Sequence, residues 1–184
     1  MMRVMLPSLL WFVALLPGTA RSTVVQDLSL AQMTERADWI VRGTVNSKEA
    51  RWQESDRRGI FTQLELSLLE VLKGPAKAGQ TMRFDQFGGT VGGITHRIPG
   101  SPHFALGEEV LLFLNRHHSG RLYVVGFSQG KFTVSRERDV ARVTRNLQGI
   151  QRVPGIASVN EHRELRELGV LRKTIRTLLT EGGH

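Results

Sequence analysis

The chain has 184 residues, no cysteine and a formal net charge of +8 at neutral pH. Without cysteine no disulfide framework can hold the fold, so a hydrophobic core must do so, and the length suits one domain of ordinary size. The charge favours anionic partners, yet acidic residues are interleaved with the basic ones, which indicates a generally solvated basic surface rather than a dedicated polyanion site.

The first 22 residues predict a secretory signal peptide. Arg3 supplies the positive n-region, Met5 to Leu16 forms the apolar h-region, and cleavage fits equally well after Ala20 or Ser22. The apolar run is shorter than the roughly 20 residues that a membrane-spanning helix needs. We therefore predict a secreted or periplasmic protein with no transmembrane segment after cleavage. Export also argues against nucleic acid as a partner.

The residues that follow predict a helix and then a strand. Residues 27–38 have one apolar face, and Ser29 with Gln32 has the spacing of a capping box. A strand follows at residues 39–45. Within it Gly43 has no side chain to pack, and it marks a bend or a close backbone approach.

The next strand, residues 60–72, carries the clearest pattern in the chain. Leucines alternate with polar residues as far as Leu68, but Leu69 and Val71 then lie on the opposite face. One extra residue near Leu68 restores a single inner face, which predicts a β-bulge in a coiled strand of a small barrel. A helix competes, but the alternation outweighs the helix propensity of leucine. The polar residues 46–59 form either a long hairpin loop or frayed extensions of the two strands.

The middle of the chain predicts short strands separated by a glycine-rich loop. Residues 88–107 hold six glycines and two prolines, and a loop of this length is usually functional or mobile. Residues 110–114 form an unbroken apolar run, which is typical of a strand buried on both faces. The strands are expected at residues 81–87, 110–114, 122–125 and 131–134, with a hairpin turn at 115–120.

The composition of the final third predicts a basic C-terminal segment at residues 136–184. This segment follows the predicted barrel domain at residues 23–135. One short helix is expected near residues 139–147. Asn160 can cap an amphipathic helix at residues 161–179, in which leucine or isoleucine recurs every three or four positions.

Together these elements predict a mainly β fold, a small antiparallel OB-like barrel with an N-terminal helix and a C-terminal amphipathic helix. The sequence also resembles a group of exported bacterial proteins of unassigned function, over roughly residues 30 to 134. The resemblance lies in Ala37-Asp38-Trp39-Ile40-Val41-Arg42-Gly43-Thr44-Val45, Leu72-Lys73-Gly74, Gly88-Gly89 with Gly92-Gly93, Pro102-His103-Phe104, Gly107-Glu108-Glu109-Val110-Leu111-Leu112-Phe113-Leu114 and Gln129-Gly130-Lys131-Phe132.

A remoter resemblance is to the netrin and TIMP-like modules. A helix, a strand of the form A-D-x-x-x-x-G-x-V and a strand that closes on K-G are similar to elements of that family, whose fold is an OB-type barrel. The resemblance implies this fold and a protease-associated or inhibitory role. The metalloproteinase inhibitors of the family place an N-terminal cysteine on the zinc of the target, and this chain has no cysteine.

The sequence holds no catalytic motif. Phosphate-binding glycine patterns and nucleophile elbows are missing, and the adjacent pair Glu108-Glu109 points to opposite faces of a strand. The leading hypothesis is a non-enzymatic exported binding module with no cofactor, which contacts a protein partner through the glycine-rich loop and the barrel rim. The predicted contact residues are Gly88, Gly89, Gly92, Gly93, His96, Pro102, His103 and Phe104.

Two alternatives remain. One is a metal-dependent enzyme with a composite site built from His96, His103 and Glu108. A metal site of His96, His103 and either His117 or His118 requires the fold to bring them together, and each histidine is more simply explained as an exposed loop or turn residue. The other is an envelope-surface protein whose basic C-terminal helix binds anionic lipid or polysaccharide.

Overall fold

The computed structural model describes residues 23–53, 59–147, 150–153 and 167–182, so the predicted signal peptide lies outside the described residues. No helix among them is long and apolar enough to cross a membrane. In chain order the elements are β1 (Thr23–Gln26), α1 (Leu30–Arg36), β2 (Trp39–Trp52), β3 (Ile60–Lys73), β4 (Thr81–Phe87), β5 (Gly89–Val91), β6 (Ile94–His96), β7 (Glu109–Arg116), β8 (Leu122–Val124), a 3-10 helix (Phe127–Gly130), β9 (Lys131–Glu137), β10 (Val140–Thr144), β11 (Ile150–Val153) and α2 (Leu168–Glu181).

One large antiparallel sheet dominates the structure and confirms the mainly β fold. Its strand order is β10-β9-β7-β2-β3-β4, and β8 also pairs with β7. The sheet curls until β4 comes beside β8, where the ring of Phe87 stacks on Tyr123 with centroids 4.8 Å apart. Arg121 also pairs with the buried Asp85 there, at 3.2 Å. Side-chain contacts thus span the seam between β4 and β8 and give the sheet a barrel-like form.

The strands β2 and β3 are the longest, at 14 residues each. Their register shifts between Arg42 and Gly43, and the β3 residue left without a partner there is Leu69. This is the β-bulge predicted near Leu68. A Cβ atom on Gly43 would lie 2.3 Å from the carbonyl oxygen of Ser67, which confirms the predicted close backbone approach.

The hydrophobic residues form two cores on opposite faces of the curled sheet. The inner core fills the barrel, and the outer core lies between the sheet and the two helices. Strand β7 contributes alternate residues to both, which explains why its sequence is an unbroken apolar run. The inner core includes Val41, Leu64, Leu66, Phe84, Phe104, Val110, Leu112 and Leu114; the outer core includes Leu30, Met33, Ile40, Leu111, Phe113, Phe132, Leu171 and Ile175.

The helix α1 begins as predicted. The Ser29 side chain accepts a hydrogen bond from the Gln32 amide, and the Gln32 side chain accepts one from the Ser29 amide, so the capping box is present. The helix ends at Arg36, where Lys73 of the K-G motif donates to the Thr34 carbonyl at 2.8 Å. Gly74 has a φ of 106°, and a Cβ atom there would meet the indole of Trp39.

The polar segment takes one of its two predicted forms, and one C-terminal prediction is wrong. Pairing of β2 with β3 continues to Trp52 and Ile60, so polar residues extend the two strands and remain paired to the strand ends. The helix expected near residues 139–147 is instead strand β10, which forms a hairpin with β9. Its turn residues, Arg138 and Asp139, both have positive φ values, a conformation that sequence patterns signal chiefly through glycine and asparagine.

The C-terminal helix is shorter at its N-terminus than predicted. It begins at Leu168, because Glu167 is extended and bridges to Arg142 of β10; Asn160 and residues 161–166 lie outside the described residues. The parallel pair of β1 and β11 was not predicted.

The segment after residue 135 continues the same sheet and the same core. Strand β9 runs to Glu137, β10 pairs with it, and the apolar face of α2 is buried in the outer core. On the flank of α2, Arg172 and Arg176 bind the carboxylate of Glu70, which also pairs with Arg42 at 3.2 Å. Two cations of the helix are therefore already engaged by the barrel.

We expect Gly43→Ala to lower the free energy of unfolding by about 1–3 kcal/mol or more, since the new methyl group must displace the backbone of β3. Gly169→Ala is the matched control, because its Cβ meets nothing within 4 Å and helix propensity should raise stability by about 0.5–1 kcal/mol. Urea unfolding measures both. Equal effects would contradict the close approach.

Leu171→Ala should lower the free energy of unfolding by about 2–5 kcal/mol, because Leu171 is fully buried in the outer core. Val170 on the exposed side of the same helix provides the comparison, and Val170→Ala should change stability by only about 0.5 kcal/mol. Denaturant titration followed by circular dichroism separates the two. Two small effects would mean that α2 does not pack on the sheet.

Candidate functional site

The glycine-rich stretch folds as a two-stranded hairpin rather than as a continuous loop. β5 pairs with β6, and the turn is Gly92-Gly93, with φ values of 56° and 81°. Positive φ at both central residues is the requirement of a type I′ turn, and glycine meets it without steric cost. A Gly-Gly pair between the apolar residues Val91 and Ile94 is a sequence signal for this hairpin, and the loop prediction overlooked it.

The base of the hairpin is tied to β3. The Gly88 amide donates to the Ile60 carbonyl at 2.8 Å, and the Thr62 hydroxyl donates to the Gly88 carbonyl at 2.7 Å. A Cβ atom on Gly89 would lie 2.6 Å from that hydroxyl oxygen, so no larger residue fits there without displacement. The glycines at the base allow close contact with the barrel, and those at the tip allow the turn.

The far end of the stretch is anchored in the barrel. Phe104 is 1% exposed and packs edge-on against Phe84, with ring centroids 5.3 Å apart. The ammonium of Lys48 donates to its carbonyl at 3.1 Å. Pro102 is also buried. Of the predicted contact residues, Phe104 therefore holds the segment in place and offers no surface to a partner.

A half-buried ion pair holds the same end. The Lys131 ammonium donates to both carboxylate oxygens of Glu108, at 2.7 and 2.9 Å, and to the His103 carbonyl. Glu108 also accepts hydrogen bonds from the Thr133 hydroxyl at 2.6 Å and from the Ala105 amide at 3.0 Å. Because His103 and Ala105 belong to the glycine-rich stretch, this cluster joins that stretch to β9.

Burial and hydrogen bonding shift the pKa values of Glu108 and Lys131 in opposite directions. Partial burial alone would raise the pKa of Glu108, but the hydrogen bonds from Lys131, Thr133 and Ala105 outweigh it and hold the pKa below its ordinary value. Burial lowers the pKa of the Lys131 ammonium, and contact with Glu108 offsets only part of this. The contacts of this cluster therefore favour the ionised form of Glu108 and hold the glycine-rich stretch on β9.

Gln129 also holds distant segments of the chain together, a role that sequence patterns did not identify. It is fully buried, its side-chain oxygen accepts from the Leu28 amide at 2.8 Å, and its side-chain nitrogen donates to the Gln26 carbonyl at 3.0 Å. The Gln129-Gly130-Lys131 run thus ties both the lead into α1 and the glycine-rich stretch to one place. The sequence showed that this run precedes a short strand. It did not show the hydrogen-bond partners of Gln129 and Lys131, which are about 25 to 100 residues away in the chain.

The hairpin and the returning chain enclose a groove of about 870 Å³ on the barrel rim. Gly88, Gly89, His96, Pro102 and His103 of the predicted contact set line it, whereas the turn glycines at the hairpin tip do not. The groove wall also includes residues of β2, β3 and β4. Most of the predicted residues therefore meet at one surface feature.

The lining of this groove is cationic and partly apolar. Lys48 and Arg97 contribute positive charge beside the two histidines, and no acidic side chain of the described residues lines the groove. Phe87 and Ile98 stand in the wall with 42% and 41% of their surface exposed. An anionic ligand with apolar side chains would complement this surface.

The histidines do not form a metal centre in the described residues, although His96 and His103 line the same groove. No group of three or more His, Cys, Asp or Glu side chains there could hold a metal ion. His96 packs edge-on against Trp52 at 5.7 Å, and His117 and His118 contact each other in the β7–β8 turn. Glu108, the carboxylate of the composite-site hypothesis, is already bound by Lys131.

Comparison with protein-family models, with curated proteins and with solved structures finds no significant match for this chain.

Glu108→Gln should lower the free energy of unfolding by about 3 kcal/mol at neutral pH, because it leaves the Lys131 charge without its partner. The pKa of Glu108 is lower in the folded protein, so its contribution is complete above the ordinary value of 4.5 and is lost as the pH falls through the lowered value. The difference between the two proteins should therefore shrink in acid. Urea unfolding from neutral pH into the acid range measures it.

The control for this experiment is Glu108→Gln combined with Lys131→Met. Removal of both charges should recover part of the lost stability, since no unpaired ammonium remains. A pH-independent difference between wild type and Glu108→Gln would contradict the lowered pKa.

Proposed function

We propose that this protein is an exported, non-enzymatic binding module that holds a protein partner in the groove beside the glycine-rich hairpin. The observation that carries the proposal is the groove itself, about 870 Å³ in volume and lined by five of the eight residues expected to make contact. Its volume lies in the upper part of the roughly 300–1,000 Å³ range of ligand sites, so a segment of a partner chain can enter it, and its walls are held in place on both sides. The hairpin base is bonded to β3, and the return is held by the Glu108–Lys131 pair.

The partner that this groove favours is an extended acidic segment of a protein. Gly88 and Gly89 allow the hairpin base to lie close against β3, and the groove opens beside it. Lys48 and Arg97 supply attraction for carboxylates, and Phe87 offers an apolar contact. Electrostatic complementarity of this kind mainly raises the association rate and is screened by salt.

An OB-type barrel is the fold assignment that we propose within the mainly β class. Strands β2, β3 and β4 form a meander, and β7 returns beside β2 with β8 and β9 on its other edge, an arrangement that supports a partly open Greek-key barrel. The resemblance to exported bacterial proteins, and the remoter one to netrin and TIMP-like modules, supports export and a protease-associated partner. This part of the proposal rests on analogy.

We expect Arg97→Glu to reduce capture of a partner from the envelope and medium of the producing cell, most strongly at low salt. Arg97 is exposed in the groove wall, so charge reversal repels an acidic segment without disturbing the core. Lys77→Glu makes the same change in charge on an exposed residue outside the groove, and it should capture the partner as wild type does. The measurement is mass spectrometry of proteins retained on the immobilised variants, with the salt dependence of retention.

A second pair of variants tests the hairpin. Gly89→Val should impair capture, because its side chain collides with Thr62, whereas Gly92→Asn suits a type I′ turn and should not. Undiminished capture by both Arg97→Glu and Gly89→Val would place the partner elsewhere and overturn the proposal.

A further inference from the structure

A second cavity, of about 510 Å³, lies at the seam between β4 and β8. The lead into α1 and the chain after β8 complete its walls, so it is separate from the hairpin. Its volume falls within the range of roughly 300–1,000 Å³ that small-molecule sites occupy. Phe87 and Pro102 line both this cavity and the groove.

The walls of this seam cavity are mainly apolar. Leu28, Phe87, Val125 and Phe127 face it, together with Tyr123. Burial raises the pKa of the Tyr123 phenol, and Asp85 adds to this effect, so the hydroxyl is a neutral hydrogen-bonding group. Asp85 is the acidic residue of the lining, and its charge is balanced by Arg121 at 3.2 Å.

The cavity wall includes a residue with an unfavourable backbone conformation. Gly126 and Phe127 both have left-handed conformations, with φ values of 65° and 60°, and Phe127 has a Cβ atom that makes this unfavourable. Non-glycine residues in this region persist only where the surrounding structure imposes them, and they cluster at ligand sites. The surrounding structure thus holds Phe127 in this conformation in the cavity wall.

One cationic side chain at the cavity has no partner among the described residues and is available to a ligand. Arg36, in the last turn of α1, lines the cavity and is exposed, and no described residue forms an ion pair or hydrogen bond with its side chain. An apolar enclosure with a single available guanidinium is complementary to a molecule that has an apolar body and one anionic head.

We propose that the seam cavity binds an amphipathic monocarboxylate, with its apolar chain against Phe87, Tyr123 and Val125 and its carboxylate at Arg36. The cavity shares Phe87 and Pro102 with the proposed partner groove, but neither proposal requires the other. Asn115 and Gln86 also line the cavity and add polar groups to its wall.

Isothermal titration calorimetry with decanoate, below its micelle concentration, tests the proposal on the purified protein. Decanol is the uncharged comparison, because it has the same chain length and lacks the carboxylate. Wild-type protein should bind decanoate saturably at one site, and Arg36→Gln should weaken this binding roughly tenfold while leaving decanol unaffected. Lys173→Gln removes one positive charge from the exposed side of α2 and should change neither affinity.

A second variant tests the cavity rather than the charge. Asn115 is exposed at the cavity, so Asn115→Trp should obstruct it without loss of folding and should weaken decanoate and decanol alike. The proposal is overturned if decanoate does not bind saturably, if Arg36→Gln leaves its affinity unchanged, or if Lys173→Gln weakens it equally.

Discussion

The structure depends on the close approach of β2 and β3 at Gly43. Because Gly43 has no Cβ atom, the carbonyl of Ser67 comes to a distance that any other residue would forbid, and the bulge at Leu69 lies beside it. The bulge and the close approach allow two 14-residue strands to coil, so that one face of β2 enters the barrel and the other meets the helices. Both cores therefore need this one position.

Features encoded by neighbouring residues were predicted well. The capping box at Ser29, the bulge after Leu68 and the role of Gly43 each follow from spacing within a few positions, and the structure confirms them. Strand β4 also has the predicted bounds. The hairpin turn at Gly92 is also encoded by neighbouring residues, but the glycine-rich composition of the whole stretch led to the prediction of a loop. Such local geometry can be predicted from sequence because the residues that determine it lie within a few positions of one another.

The unpredicted features depend on contacts between distant residues. β10 and the pair β1–β11 are weakly patterned strands whose partners decide their conformation. The sequence showed that Glu108 and Glu109 face opposite ways, and they do: Glu108 binds Lys131, and Glu109 binds Arg42 and Arg136. It did not show which cations they meet. Most of the groove residues could be predicted because they lie in one stretch of sequence. The groove also needs walls from β2 and β3, which that stretch alone does not reveal.

The two openings on the barrel share a wall, and this limits how independently they can respond. The ring of Phe87 lies between Phe61 and Tyr123, with centroid distances of 5.1 and 4.8 Å, and faces both the groove and the seam cavity. Any displacement of the ring breaks at least one aromatic contact. A ligand that pressed on it from the seam would alter the groove, and a partner in the groove would alter the seam. Thermodynamic linkage makes such an effect equal in both directions.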